Sequence, residues 1–255
     1  MTDVSRLLQP DRGQPATSLL LVDKGGFEAW LKASSERVRH AAKAQDFRGE
    51  GSQIAILPGE RAEEWSAAVA VTNVAEAGVW CLAKAAEQLP EGTYRVAGGG
   101  AGAAALGWLL GQYRFDRYRK EPAKKGPRVL LTDEPARIEE IVAIAEATML
   151  VRDLVNTPAG DLGPAELEQA VRAVAAEFGG KVTVTAGAEL DAGYPMVAAV
   201  GRAAVPERAP RMIELAWGDQ RHPRIAIIGK GVCFDSGGLD IKPSAGRQRR
   251  SARRG

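Results

Sequence analysis

Arg224-Ile-Ala-Ile-Ile228 runs without a break into Gly229-Lys-Gly-Val-Cys-Phe-Asp-Ser-Gly-Gly238. Ile225-Ala-Ile-Ile228 has the continuous apolar character of a strand buried on both faces, which belongs to parallel sheets covered by helices. Four glycines, Gly229, Gly231, Gly237 and Gly238, let the following backbone approach a ligand closely or take positive φ. In open α/β sheets ligands bind beyond the carboxyl ends of such strands. Lys230 and Asp235 therefore stand where a site is expected, and Lys242 follows in Asp240-Ile-Lys-Pro-Ser244.

Working back from this segment, Lys181-Val-Thr-Val-Thr185 and Arg211-Met-Ile-Glu-Leu-Ala216 read as further strands. A helix is expected over 164–178, with Pro164 in its first turn and Gly179-Gly180 after its end. From Pro135 to Asn156 one helical pattern runs, offering Ile138, Ile141, Val142, Ala145, Met149 and Val155 to one side, and Pro158 ends it. Ahead of it, Ser18–Val22, Gln53–Leu57, Thr93–Ala97 and Arg128–Thr132 read as strands, with helical spacing over 74–88 and 103–113. Alternation of this kind predicts α/β layers. The organisation expected is a flexible amino terminus (1–17), a small amino-terminal α/β domain (18–135), a long linking helix (136–156), a partial α/β catalytic domain (157–246) and a basic tail (247–255).

Composition excludes several classes. With 255 residues, 45% hydrophobic and 26% charged, the chain is globular in usage. The net charge of +2 is carried by the last nine residues, which hold five arginines and no acid; the rest carries −3. A basic face for nucleic acid is therefore not expected on the globular body. Cys81 and Cys233 lack the spacing of a thiolate zinc site, and two cysteines so far apart suggest no disulfide framework, which points to a reducing cytoplasm. No signal-length or membrane-length apolar run is present.

On spacing alone, Lys230 and Asp235 are open to three readings. They could form a solvated ion pair. A phosphate cradle fits poorly, since Arg224 and Gly231 stand where the P-loop pattern needs Gly and Ser or Thr. A hard-metal or acid/base site would need more than one carboxylate. Gly98-Gly-Gly-Ala-Gly102 reads as a tight strand-to-helix turn, because no acidic residue ends a strand at the distance a dinucleotide site requires. His40 and His222 read as surface residues, Cys233 as a packed loop residue, and Trp65, Trp80, Trp108 and Trp217 as core or interface anchors.

The longer stretch Gly229-Lys-Gly-Val-Cys-Phe-Asp-Ser-Gly-Gly-Leu-Asp-Ile-Lys-Pro-Ser-Ala-Gly246 resembles the signature that opens the catalytic domain of the leucyl (cytosol) aminopeptidase family. Arg152-Asp-Leu-Val-Asn-Thr-Pro158 resembles the stretch leading into that domain. Leu106-Gly-Trp-Leu-Leu-Gly-Gln-Tyr-Arg-Phe-Asp-Arg-Tyr118 resembles a helix of the family's amino-terminal domain. The resemblance implies a metallopeptidase that removes amino-terminal residues from peptides with a free amino terminus, using two divalent ions, manganese or zinc. It implies Lys230 as a neutral amine ligand, favoured by burial, Asp235 as a carboxylate bridging the metals, and Lys242 as the catalytic lysine beside the tetrahedral intermediate. It also implies a homohexamer in the cytoplasm. The family's later D-M-G-G and N-T-D-A-E-G-R segments are absent from this sequence. The expectation is therefore a truncated catalytic domain, inactive alone. The alternative is a structural, regulatory or nucleic-acid-binding remnant of that family.

Overall fold

The computed structural model describes residues 3–61, 63–121 and 125–234, and the chain divides into two compact units, 1–150 and 151–255. Both are α/β, as the sequence pattern predicts.

The first unit is built on a six-stranded sheet. Its strands are β1 (Leu8–Pro10), β2 (Thr17–Val22), β3 (Ile54–Pro58), β4 (Trp65–Ala70), β5 (Gly92–Val96) and β6 (Arg128–Thr132). They lie in the order β1-β6-β5-β2-β4-β3, all parallel except β3, which runs antiparallel to β4 at the edge. Alternation along β4 assigns Ala67 and Val69 to one face and Ala68 and Ala70 to the other. On the second face lie α1 (Phe27–Ala33) and α2 (Glu36–Ala44), whose Ser35 cap accepts from the Val38 N–H at 3.3 Å. Phe27, Trp30 and Phe47 pack there with ring centroids 5.7–6.1 Å apart.

The first face carries α3 (Ala83–Gln88), α4 (Ala104–Leu110) and the leading half of α5 (Ile138–Asn156). Trp108 on α4 is fully buried, its ring 5.3 Å from that of Tyr94. Burial pushes the Tyr94 hydroxyl up to about 12, and that hydroxyl donates to the Pro90 carbonyl at 2.7 Å. Gly107 and Gly111 let α4 press on the carbonyls of Val79 and Ala83, where any Cβ would overlap them. Ile141, Ala145 and Met149 of α5 are buried in this same core.

Two expectations are corrected here. The amino terminus, expected to be flexible through residue 17, is tied down: Val4, Leu7 and Leu8 are buried and β1 pairs with β6. An apolar strap of this kind stays ordered because leaving it would expose those side chains and a sheet edge. Helical spacing over 74–88 produces helix only from a 3-10 turn at Val79–Leu82 onward, while Val74 donates its N–H to Asp23 at 3.0 Å.

The strap is also held by charge. Arg95 pairs with the Asp11 carboxylate through Nε and Nη2 and donates to the Gln14 carbonyl at 2.8 Å. The Arg95 bond, helped by the Gly13 N–H, lowers the Asp11 carboxyl from 3.8 to about 2. A carboxyl held below its ordinary value stabilises the fold above that ordinary value, and the contribution disappears as pH falls through the folded one. Asp11→Asn should therefore melt below the parent at pH 6, with the gap closing as the pH falls from about 4 toward 2. Melting temperatures of both proteins across that range are the check, and a gap independent of pH would count against the ion pair.

The second unit contains α6 (Pro164–Phe178), β7 (Lys181–Ala186), α7 (Gly187–Gly193), α8 (Pro195–Gly201) and β8 (Arg211–Ala216). α6 occupies the span that Pro164 and Gly179 mark, and Gly179 takes φ +70° at its end. β7 and β8 pair antiparallel, from Lys181 opposite Ala216 to Ala186 opposite Arg211. Arg211 reaches back to Glu168 on α6 at 2.6 Å, both side chains largely buried, which ties the helix to the strand. No described helix is long and apolar enough to cross a membrane.

Candidate functional site

β8 ends at Ala216 and the chain turns at Gly218, φ +94°, with Arg221 closing on Asp219. It then runs as irregular backbone as far as residue 234. The strand expected at Arg224–Ile228 is not formed: Ile225, Ile227 and Ile228 are 89%, 93% and 88% exposed. A doubly buried strand needs a neighbour on each side and helices on both faces. Among the described residues of this unit, the sheet consists of β7 and β8 alone, and they pair with each other.

Lys230 lies on this segment and is exposed, so the burial expected around its amine is not found. Beside it Gly231 rests near Leu167 of α6, where an added Cβ would come within 3.3 Å of the leucine methyl. That contact returns the loop to the helix, and Val232 and Cys233 are half-buried beyond it. Cys233 is thus partly packed, in keeping with a loop residue. Asp235 and Lys242 lie outside the described residues.

Elsewhere the carboxylates with the strongest local bonding are committed to structure. Asp23 accepts from the N–H groups of Val74 and Gly26, at 3.0 and 2.7 Å, which hold it below the usual carboxylate range. Glu166 takes the Gly163 N–H at 2.8 Å, which lowers it likewise, and also pairs with Arg208. Glu168 is lowered by its bonds to Arg172 and Arg211. Among the described residues no three of His, Cys, Asp and Glu cluster as metal ligands. One exposed amine is no seat for a pair of dications, so the described part of the chain does not by itself fit the metals that the resemblance implies.

The remaining candidates fall as follows. The Gly98–Gly102 stretch is a strand-to-helix turn between β5 and α4, with positive φ at Gly98 and Gly102. His40 and His222 are exposed. Trp108 is core and Trp65 packs against it through Tyr94, whereas Trp80 and Trp217 are 62% and 75% exposed. The buried arginine at the start of β6, Arg128, was not singled out by sequence, since an arginine opening a strand carries no mark of burial.

Two family profiles match the chain in order. The M17 aminopeptidase N-terminal domain covers residues 17–131, and the catalytic domain of the cytosol aminopeptidase family covers 149–252. A probable cytosol aminopeptidase of Rhodococcus jostii is 36% identical over 58% of this chain and 32% of its own length. One of Roseiflexus castenholzii is 39% identical over 56% of this chain and 32% of its own length. Among solved structures, the cytosol aminopeptidase of Coxiella burnetii superposes with a TM-score of 0.81 at 30% identity, over 95% of this chain and 53% of that one. The bottromycin maturation enzyme BotP, solved in complex with Mn, gives 0.70 at 30% identity over 91% of this chain and 51% of its own. An α/β amino-terminal unit followed by the opening of an α/β catalytic domain is the M17 class of architecture. The chain belongs to the cytosol aminopeptidase family. It spans about a third of the length of the curated relatives it matches and about half of the solved chains.

Proposed function

We propose that this chain supplies the amino-terminal unit and the first catalytic motif of a metal-dependent aminopeptidase that releases amino-terminal residues from peptides in the cytoplasm. Lys230 and Asp235 are read as ligands of a divalent pair, manganese or zinc, and Lys242 as the cation beside the reacting carbonyl. The observation that carries this reading is the pair of family matches in the order of the family's domains, with Gly229–Gly246 inside the second. The manganese complex of BotP supports the choice of metal, and the naming of the relatives supports the compartment. Bound ions would supply Lewis acidity at the scissile carbonyl. The chain's own part is to supply a nitrogen and a carboxylate donor five residues apart in sequence and to present Lys242, a strong donor to developing negative charge.

The test is a spliced protein in which residues 1–246 lead into the remainder of the Rhodococcus jostii catalytic domain. It is expected to hydrolyse leucyl p-nitroanilide with manganese. Asp235→Ala and Lys230→Ala should lower kcat by more than ~100-fold, since loss of a ligand exceeds the cost of losing its supporting bonds. Lys242→Ala should cost roughly 10²–10³-fold, as loss of an oxyanion donor does. A folded splice without activity, or one indifferent to Asp235→Ala, would overturn the reading.

A further inference from the structure

The two units bury very different shares of their apolar side chains. Both faces of the first sheet carry a filled core, whereas among the described residues of the second unit only Ala175 and Leu190 are buried apolar side chains. Phe178, Met196, Val200 and Trp217 are each more than half exposed, and Leu215 nearly so. Three of these meet at the end of α6. The Trp217 indole N–H donates to the Phe178 carbonyl at 2.8 Å, and a Leu215 methyl lies 2.8 Å from where a Cβ on Gly180 would stand. Met196 and Val200 follow one another a turn apart on α8. Among the described residues β8 pairs with β7 alone, so its other edge carries no strand.

Helices and sheets are stable with their apolar sides against another layer of the same domain. A contiguous apolar patch beside a free strand edge marks a surface that another polypeptide covers. The occupant must bring a strand for the β8 edge and apolar side chains for Phe178, Leu215 and Trp217. The superposition on the Coxiella burnetii enzyme takes in 95% of this chain and 53% of that one, so close to half of that enzyme has no counterpart here. The second unit matches the catalytic domain of the family, and it is one part of a larger α/β domain in such relatives. A second copy of this chain would offer only the same small patch and the same edge, without the helices that a sheet needs on its faces.

We infer that this face docks the remainder of an M17 catalytic domain as a separate polypeptide, the two halves assembling without a covalent join. Phe178, Leu215 and Trp217 form the centre of the contact, since large apolar and aromatic side chains that become fully covered carry most of an interface's affinity. The β8 edge sets the register through backbone hydrogen bonds, as an added strand does. The docked half would also bring the D-M-G-G and N-T-D-A-E-G-R segments that this sequence lacks, and with them the carboxylates that one amine and one aspartate cannot replace. Docking rests on the membership of the family, and the activity it restores rests on the aminopeptidase reading above.

The experiment co-expresses the full 255-residue chain with the same Rhodococcus jostii remainder used for the splice, here as a separate chain carrying the only affinity tag. Co-purification and light scattering after gel filtration report the complex, and leucyl p-nitroanilide with manganese reports activity. A one-to-one complex is expected. Trp217→Glu and Leu215→Glu, both at exposed positions, should weaken it tenfold or more, as loss of a central anchor does. Trp80→Glu, on an exposed tryptophan of the first unit, should leave it unchanged. A complex that stays inactive, as the splice does, would sink the aminopeptidase reading and support the docking. No complex while the splice is folded and active, or equal weakening by Trp80→Glu, would overturn the docking and leave that reading in place. A dimer of the chain alone that Trp217→Glu disperses, with no binding of the remainder, would overturn it too and assign the face to a second copy.

Discussion

Leucyl p-nitroanilide given to the 255-residue chain with manganese or zinc should be hydrolysed no faster than in buffer, and Asp235→Ala should behave as the parent does. The expectation rests on counting ligands. Lys230 and Asp235 offer one nitrogen and one carboxylate, whereas two ions with four positive charges need several carboxylates to hold them and set their separation. Water can fill coordination positions, but it fixes neither the metals nor the direction of attack. Lys230 stands exposed on irregular backbone, and a catalytic group held loosely loses much of its effect. The contrast with the spliced protein is what gives the assay its force: the same Lys230 and Asp235 should matter by more than ~100-fold in one background and not at all in the other. Hydrolysis by the chain alone that disappears in Asp235→Ala would mean that the site is completed within it or between its copies.

Trp108→Ala should cost the first unit about 3–5 kcal/mol, the ordinary range for removing a fully buried tryptophan. Its ring fills the space between α4 and the sheet against Tyr94, and its indole N–H satisfies the Arg128 carbonyl, which Gln112 would then hold alone. At 1.4 kcal/mol per factor of ten, hydrogen-exchange protection of the β5 and β6 amides should fall by roughly 10²–10³-fold. Trp217→Ala is the matched control. That side chain is 75% exposed and makes one hydrogen bond, to the Phe178 carbonyl at 2.8 Å, so a loss of about 1 kcal/mol or less is expected. Equal effects of the two substitutions would mean that Trp108 is not the centre of the core.

The same two tryptophans show what a sequence can disclose. Nothing in local pattern separates Trp108 from Trp217, because burial is decided by what the rest of the chain places on top. Strands rich in leucine and valine, such as Thr17–Val22 and Arg128–Thr132, stand out because their composition suits a pleated sheet. Trp65–Ala70 does not stand out, since its alanines favour no strand, and it takes its conformation from β2 and β3 on either side. β1 is three residues long, too short for any periodicity to register. By contrast, α6 could be bounded in advance because Pro164 and Gly179 act through local sterics alone. Arg224–Ile228 is the opposite case: its apolar run is plain in the sequence, yet strand pairing is a property of neighbours, and β8 pairs with β7 instead. Lys230 was legible through its motif, while its surroundings were not.

Leu8 pairs with Leu130, so the strap of the first sheet closes across nearly the whole unit. During synthesis the chain lengthens by ~5–20 residues per second, so Leu8, roughly 120 residues ahead, waits about 6–24 s for its partner to be made. Over that interval Val4, Leu7 and Leu8 have no sheet to join and are open to any other apolar surface. The amino terminus is thus the earliest part of the unit to exist and among the last to find its place, and the nascent chain is most in need of protection there.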